Sequence, residues 1–194
     1  MDFTDHLLRT FASVPFGNRV LDLHCGRGQR TLPLVRLGFD VYACDPGESV
    51  AAEARRSVAE LVGEDEALRR VSVAHAEALG YPDAFFDWVV AFDLPAELHS
   101  EPALREALAE VRRVLKDGGW LYLTVAAVSP DENPAAGRPG YAGDSGLALR
   151  FTADTLGAVM EEAGFAEAQA PVAGDAGAPV LQAIYRRVDA HTPR

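Results

Sequence analysis

The fold of this chain is decided by the stretch Val20-Leu21-Asp22-Leu23-His24-Cys25-Gly26-Arg27-Gly28-Gln29-Arg30-Thr31. It begins with an apolar run typical of a buried strand and continues into a glycine turn that precedes a helix. Glycines at the carboxyl end of a strand let the backbone approach a ligand closely. Asp45 lies one helix and one strand later, and its carboxylate can accept hydrogen bonds from both hydroxyls of a ribose. This order predicts a site for a nucleoside-bearing cofactor.

The spacing of the glycines argues against a dinucleotide as that cofactor. A dinucleotide-binding turn reads G-x-G-x-x-G, and here Thr31 stands where the third glycine belongs. A nicotinamide-dependent dehydrogenase is therefore disfavoured.

Apolar segments alternate with amphipathic ones along the chain, which indicates an α/β sheet covered by helices. An amphipathic helix is predicted over Glu101 to Lys116, capped by Ser100 and ended by Gly118 and Gly119, and a second helix follows Thr152. Strands are predicted at Arg19 to Leu23, Asp40 to Cys44, Val71 to Ala74, Asp87 to Phe92, Trp120 to Ala126, Phe165 to Ala170 and Val180 to Arg187.

Two connections define the topology. Between the third and fourth strands lie only a dozen residues, Ala76 to Asp87, too few for a helix with two loops. Between the last two strands lies only Pro171 to Gly177, which cannot make a helical crossover, so these strands should form an antiparallel hairpin. The predicted fold is a Rossmann-like, doubly wound, seven-stranded sheet, mostly parallel with an antiparallel C-terminal strand. That final hairpin also argues against a dehydrogenase.

These residues resemble the class I S-adenosylmethionine-dependent methyltransferases. The family's first motif, an acid followed by glycines at alternate positions, maps to Asp22, His24, Gly26 and Gly28, with His24 where the family most often has glycine. The pair Phe86-Asp87 and the segment Glu110 to Gly119 are similar to the opening of its fourth strand and the helix before its fifth.

The resemblance implies S-adenosylmethionine as the cofactor. It places the adenine beside the loop after the third strand, with His75 where the family commonly has an acid. It implies that Asp22 faces the cofactor's amino group and that His24 either contacts the cofactor or fills a site whose binding has decayed. The cofactor-binding residues it implies are Asp22, His24, Gly26, Gly28, Asp45, Pro46, His75, Ala76, Glu77 and Phe92.

Candidate catalytic residues follow the fourth strand, where the family places its reactive centre. His99 is a candidate general base, because a neutral imidazole can take a proton near pH 7; the alternative is a solvent-facing histidine before a helix cap. Asp93 either lies near the methyl donor or is an ordinary turn acid. The segment Phe92 to Ala96 lacks the acid-or-amide, proline, proline, aromatic signature of methylases that act on nucleic-acid bases.

Composition bounds the remaining possibilities. The chain has 194 residues, of which 48% are hydrophobic, and we expect one methyltransferase-like domain over residues 1–194. A net charge of −11 opposes a broad nucleic-acid surface. Cys25 and Cys44 are expected to be buried thiols, and no ligand spacing predicts a metal site. Without an apolar span or signal-like start, we expect a cytoplasmic protein that does not bind a membrane.

Two functions remain open at this point. The first is an S-adenosylmethionine-dependent methyltransferase that acts on a small molecule or a protein group. The alternative is a non-catalytic or regulatory protein that retains the fold with weakened or altered cofactor binding. The irregular stretch Val128 to Leu149 is expected to be a loop that closes over the substrate, the alternative being a disordered surface excursion. The oligomeric state and the methyl acceptor cannot be read from the sequence.

Overall fold

A seven-stranded sheet forms the centre of the computed structural model. Its strands are β1 (Arg19–Leu23), β2 (Asp40–Asp45), β3 (Val71–Val73), β4 (Phe86–Ala91), β5 (Leu115–Ala126), β6 (Phe165–Gly174) and β7 (Val180–Arg187). The spatial order is β3-β2-β1-β4-β5-β7-β6. The structure describes residues 3–15, 17–94, 98, 100–128, 149–174 and 180–188.

Only β7 runs against its neighbours. It pairs antiparallel with both β5 and β6, whereas β1 to β5 pair in parallel. The short connection before β7 accounts for this, because a parallel return would need a crossover of a dozen residues or more. The predicted fold class and the terminal hairpin are confirmed.

Helices cover both faces of the sheet. They are α1 (Phe3–Phe11), α2 (Thr31–Arg36), α3 (Glu48–Val62), α4 (Glu64–Arg70), α5 (Glu101–Val114) and α6 (Ala153–Glu162). One face packs against α1 and α2 through Leu7, Phe11 and Leu34. The opposite face packs against α5 and α6, where Leu108 and Met160 belong to the larger apolar core. Alternate residues of each central strand point to opposite faces. Because helices pack on both sides, both faces of the sheet are buried.

The predicted helix caps are confirmed. The side chain of Ser100 accepts a hydrogen bond from the backbone of Ala103 at the start of α5. Thr152 and Thr155 form a reciprocal capping box at the start of α6. The crossover after β3 contains no helix, as its length predicted.

The predicted end of α5 at Lys116 is wrong. The helix ends at Val114, and Leu115 is already extended and paired with Phe86 in β4. Gly118 and Gly119 therefore lie inside β5, where its register against β4 shifts. A side chain at Gly119 would stand 2.8 Å from the Lys116 carbonyl oxygen and 3.2 Å from that of Asp87. The glycine pair serves a strand irregularity and does not stop the helix.

Two sequence predictions lie outside the described residues. They are the candidate base His99 and nearly all of the predicted substrate loop, residues 129–148.

Candidate active site

The turn after β1 is built from backbone conformations that side chains rarely adopt. Gly26 and Gly28 have φ angles of 56° and 85°. A side chain at Gly28 would contact Ala54 of α3 at 3.5 Å, whereas one at Gly26 would meet no atom within 4 Å. The contact at Gly28 is an ordinary one, so the positive φ accounts for glycine there, and Gly26 borders open space at the edge of the sheet.

Asp45 holds this turn from the neighbouring strand. Its carboxylate accepts a hydrogen bond from the backbone N–H of Gly26 at 3.1 Å and another from that of Gly47 at 2.9 Å. Its own carbonyl accepts from the N–H of Ala74, which follows β3. One residue therefore links the turn after β1, the turn after β2 and the segment after β3.

Asp22 is the buried acid of the site. One of its oxygens accepts a 2.6 Å hydrogen bond from the Thr31 hydroxyl at the start of α2. The other, Oδ1, is buried and has no hydrogen-bond partner among the described residues. Burial raises the pKa of Asp22 to about 6, although the Thr31 hydrogen bond and nearby Arg30 oppose the rise. An unsatisfied buried oxygen is costly, so its presence points to a polar ligand group.

The loop after β3 lies beside Asp45. His75 is exposed and forms an isolated bridge with Ala78, and Glu77 is partly buried. Ala76 is buried in the larger core. Pro46 follows Asp45 directly and is partly buried.

The end of β4 forms the other side of the site. Phe92 is buried, and the guanidinium of Arg30 lies 4.0 Å from its ring centroid. Asp93 is exposed, with its backbone N–H donating to the hydroxyl of Thr124 in β5 at 2.8 Å. Asp93 is thereby placed at the edge of the sheet, while the role of its carboxylate stays a prediction.

Backbone strain is concentrated at this edge. Three non-glycine residues of the described chain have positive φ, and two of them lie just past the ends of strands: His24 at 57° directly after β1, and Asp93 at 52° two residues after β4. Such conformations cost free energy and cluster at functional sites. Motif spacing predicted His24 as a site residue but gave no sign of the strain.

The comparisons with known proteins agree with this geometry. Residues 20–119, which is 100 of 194, match the model described as a methyltransferase domain. The chain belongs to the methyltransferase domain family.

A curated relative from Pseudomonas paraeruginosa, a ubiquinone/menaquinone biosynthesis C-methyltransferase, is 39% identical over 120 residues, covering 58% of this chain and 43% of the relative. The chain thus matches less than half the length of that relative. Two solved structures are similar in fold. Magnesium protoporphyrin IX methyltransferase of Synechocystis superposes with a TM-score of 0.71 at 17% identity, covering 95% of this chain and 81% of its own. The [4+2]-cyclase SpnF superposes with a TM-score of 0.69 at 23% identity, covering 95% of this chain and 81% of its own.

The prediction of the family is confirmed, and S-adenosylmethionine stays the cofactor that the sequence predicts. The residues of this methyltransferase domain fit that cofactor, because Gly26 borders open space and the Asp22 oxygen lacks a partner. The individual roles of the predicted cofactor-binding residues stay predictions.

Other sequence predictions concern chemistry outside the cofactor site. Cys25 and Cys44 are buried free thiols, and burial raises the pKa of both, so they stay protonated at neutral pH. Over the described ranges no group of three or more His, Cys, Asp or Glu could hold a metal ion. Every described helix is too short or too polar to cross a bilayer.

The raised pKa of Asp22 predicts how stability depends on pH. Because the folded pKa of about 6 lies above the ordinary 3.8, the folded state binds the extra proton between these values. Stability should therefore fall as pH rises from about 4 to 6, by at most about 3 kcal/mol, and stay level above. We expect Asp22→Asn to remove this slope. Urea unfolding of both proteins at pH 4.5 and 8 measures the difference, and equal pH dependence would contradict it.

His24→Gly separates strain from ligand contact. Glycine adopts φ near 57° without steric cost, so we expect the variant to be folded and no less stable than the parent by more than about 1 kcal/mol. We also expect it to bind S-adenosylhomocysteine several-fold more weakly, since the imidazole is predicted to contact the cofactor. His24→Asn, which also tolerates this conformation, is the matched control for the ring. Tighter binding by the glycine variant in calorimetry would show that the histidine obstructs the site.

Proposed function

We propose that this domain transfers the methyl group of S-adenosylmethionine to a small-molecule acceptor. The observation that carries the proposal is the carboxylate of Asp45, which is hydrogen-bonded to Gly26 of the glycine turn at the open edge of the sheet. Asp45 would hold the ribose hydroxyls, and Asp22 the amino group of the cofactor. Gly26, Gly28 and His24 would line its path along the turn, and the segment His75 to Glu77 would border the adenine.

The cofactor, when bound, supplies a methyl group on a sulfonium, which is an excellent leaving group. The protein then has few tasks, which are to align the acceptor and to exclude water. Phe92, buried at the end of β4 beneath Arg30, offers an apolar wall for this purpose.

A small molecule is supported as the acceptor by charge and by the relatives. The net charge of −11 is unfavourable for a polyanionic nucleic acid. Two curated relatives that match this chain are named as a demethylmenaquinone methyltransferase and a ubiquinone/menaquinone biosynthesis C-methyltransferase. A planar ring that carries hydroxyl groups is accordingly the acceptor class we propose.

Two measurements test the proposal. Calorimetry with S-adenosylmethionine and, separately, NAD should show binding of the first only. Methyl-labelled S-adenosylmethionine should then transfer label to a small hydroxylated aromatic such as 1,4-naphthoquinol, kept reduced under argon. Binding without transfer to any member of a panel of small phenols and quinols would favour the alternative, a protein that retains the fold without turnover.

A further inference from the structure

The face of the sheet that packs against α1 contains polar groups within an apolar layer. The layer is built from side chains such as Leu7, Phe11 and Val90. Within it lie three buried polar residues of β5 and β7, namely Tyr122, Thr124 and Gln182. Polar groups buried in an apolar layer cost free energy unless they have partners. Here the Thr124 hydroxyl accepts from the backbone N–H of Asp93, and the Tyr122 hydroxyl has its partner in His6.

The strand register places these groups beside the predicted cofactor site. Asp22 pairs with Val90, and Val90 pairs with Tyr122, so the three lie in one row across the sheet. With neighbouring strands about 4.8 Å apart, the Tyr122 backbone lies about 10 Å from that of Asp22. Thr124 and Gln182 pair in the next row toward the carboxyl edge. The polar groups therefore share the face and the edge of the cofactor residues.

Helix α1 places a histidine against Tyr122. Nδ1 of His6 lies 3.1 Å from the Tyr122 hydroxyl, and the two ring centroids are 5.8 Å apart. Tyr122 in turn contacts Phe92, with a centroid distance of 5.5 Å. His6 is thus one aromatic ring away from the residue that follows β4. Its position near the start of the chain gave no sequence signal for a role.

The surroundings of His6 favour a neutral imidazole. Burial, and then the charge of Arg9 on the same helix, lower the pKa of His6. Burial raises the pKa of Tyr122, the titratable group that faces it from the sheet, so the phenol stays protonated at neutral pH. A neutral, partly buried imidazole can accept a proton near pH 7.

We propose that His6 is the general base for a hydroxyl-bearing methyl acceptor and that Tyr122 is its positioning residue. The proposal rests on the proposed methyltransferase function. In the required tautomer Nδ1–H donates to the Tyr122 oxygen, which leaves the lone pair of Nε2 to take the proton of the acceptor.

The acceptor hydroxyl gives its proton to Nε2. The electron pair of its oxygen forms the bond to the methyl carbon as the carbon–sulfur bond breaks, and the electrons of that bond stay on sulfur. The products are the methyl ether, S-adenosylhomocysteine and an imidazolium that loses its proton to water.

The first test needs no acceptor. Nitrogen-15 NMR of the histidine rings, with His6→Asn for assignment, should show a pKa below 6.5 and the hydrogen on Nδ1. Tyr122→Phe should remove the preference for that tautomer. A hydrogen fixed on Nε2, or a pKa at or above 6.5, would overturn the proposal, even if naphthoquinol is not a substrate.

The second test is kinetic and uses 1,4-naphthoquinol as the probe. His6→Asn should lower kcat by about 100-fold, with affinity for S-adenosylhomocysteine unchanged, and abolish the fall of kcat at acid pH. Tyr122→Phe should lower kcat and shift that fall. Ser13→Ala, in the exposed turn after α1, is the control and should match the parent. His6→Gln replaces His6→Asn if the latter unfolds.

The outcomes separate the two proposals. Absence of both cofactor binding and transfer in the parent would overturn the proposed function. If the parent methylates the probe and His6→Asn keeps both its kcat and the fall of kcat at acid pH, only the role of His6 is overturned.

Discussion

Asp45→Ala is expected to weaken binding of S-adenosylhomocysteine by about 10- to 100-fold. The carboxylate is predicted to accept both ribose hydroxyls, and charge-assisted hydrogen bonds of this kind contribute roughly 1.5 to 3 kcal/mol. The same carboxylate holds the N–H groups of Gly26 and Gly47, so the variant also releases the glycine turn. Calorimetric titration with S-adenosylhomocysteine measures the loss.

Two further variants divide this effect. Asp45→Asn keeps one oxygen acceptor but loses the charge, and an intermediate affinity is expected. Asp40→Ala removes the acid at the other end of β2, which pairs with Arg19 and Arg70 far from the turn, and should leave affinity unchanged. Hydrogen exchange at the Gly26 amide reports whether the turn itself has loosened. An Asp45→Ala protein that binds as tightly as the parent would remove Asp45 from the site.

The strand order could be read from the sequence because each determinant is local. Short apolar runs bounded by glycines or acids identified seven strands, and β1 and β7 have the predicted bounds. The antiparallel hairpin followed from the length of one connection. The glycine turn and Asp45 were predicted to serve one nucleoside-bearing cofactor, and the structure joins them through the hydrogen bond from the Gly26 N–H to the Asp45 carboxylate.

The end of α5 could not be read this way. Two glycines after an amphipathic helix have the pattern of a helix stop, yet a side chain at Gly119 would stand 2.8 Å from the Lys116 carbonyl oxygen and 3.2 Å from that of Asp87 on β4. The second contact comes from a residue 32 positions earlier in the chain, and the first arises only because the segment is extended as a strand. A local pattern does not contain these contacts.

The contacts that join distant segments were also missed. His6 and Tyr122 are 116 residues apart, and no periodicity links them. The same holds for Arg113, which the sequence placed only in the helix before β5. Its guanidinium binds the crossover between β3 and β4 about 30 residues away. Pairings of this kind depend on the packed sheet and can be recognised only once strand order and register are known.

Arg113→Leu is expected to destabilise the domain by about 2 to 3 kcal/mol. The guanidinium donates to the carbonyls of Leu79 and Tyr81 and to the carboxylates of Asp83 and Glu110. Glu110 in turn accepts from the N–H of Leu79 at 2.9 Å. Loss of the arginine leaves these acceptors without their charged donor in a partly buried setting, which makes the change costly.

Arg105→Leu is the matched control on the same helix. Arg105 also contacts two carboxylates, those of Glu101 and Glu162, but its side chain is 55% exposed. An exposed ion pair contributes about 0 to 1 kcal/mol, so this variant should stay close to the parent. Arg113→Lys keeps the charge without the planar fork and should recover only part of the stability. Urea unfolding at pH 7 measures all three.

Removal of the Arg113 contacts should also affect the cofactor site, and its cost in stability should depend on pH. The crossover held by Arg113 continues from His75 to Glu77, so Arg113→Leu should also weaken cofactor binding, whereas Arg105→Leu should not.

Hydrogen bonding to Arg113 lowers the pKa of Glu110. The contribution of this pair is therefore present above the ordinary carboxyl pKa and is lost as pH falls through the lowered value. The stability difference between parent and Arg113→Leu should accordingly shrink in acid. A cost no greater than that of Arg105→Leu at pH 7 would show that the crossover is held by its apolar packing alone.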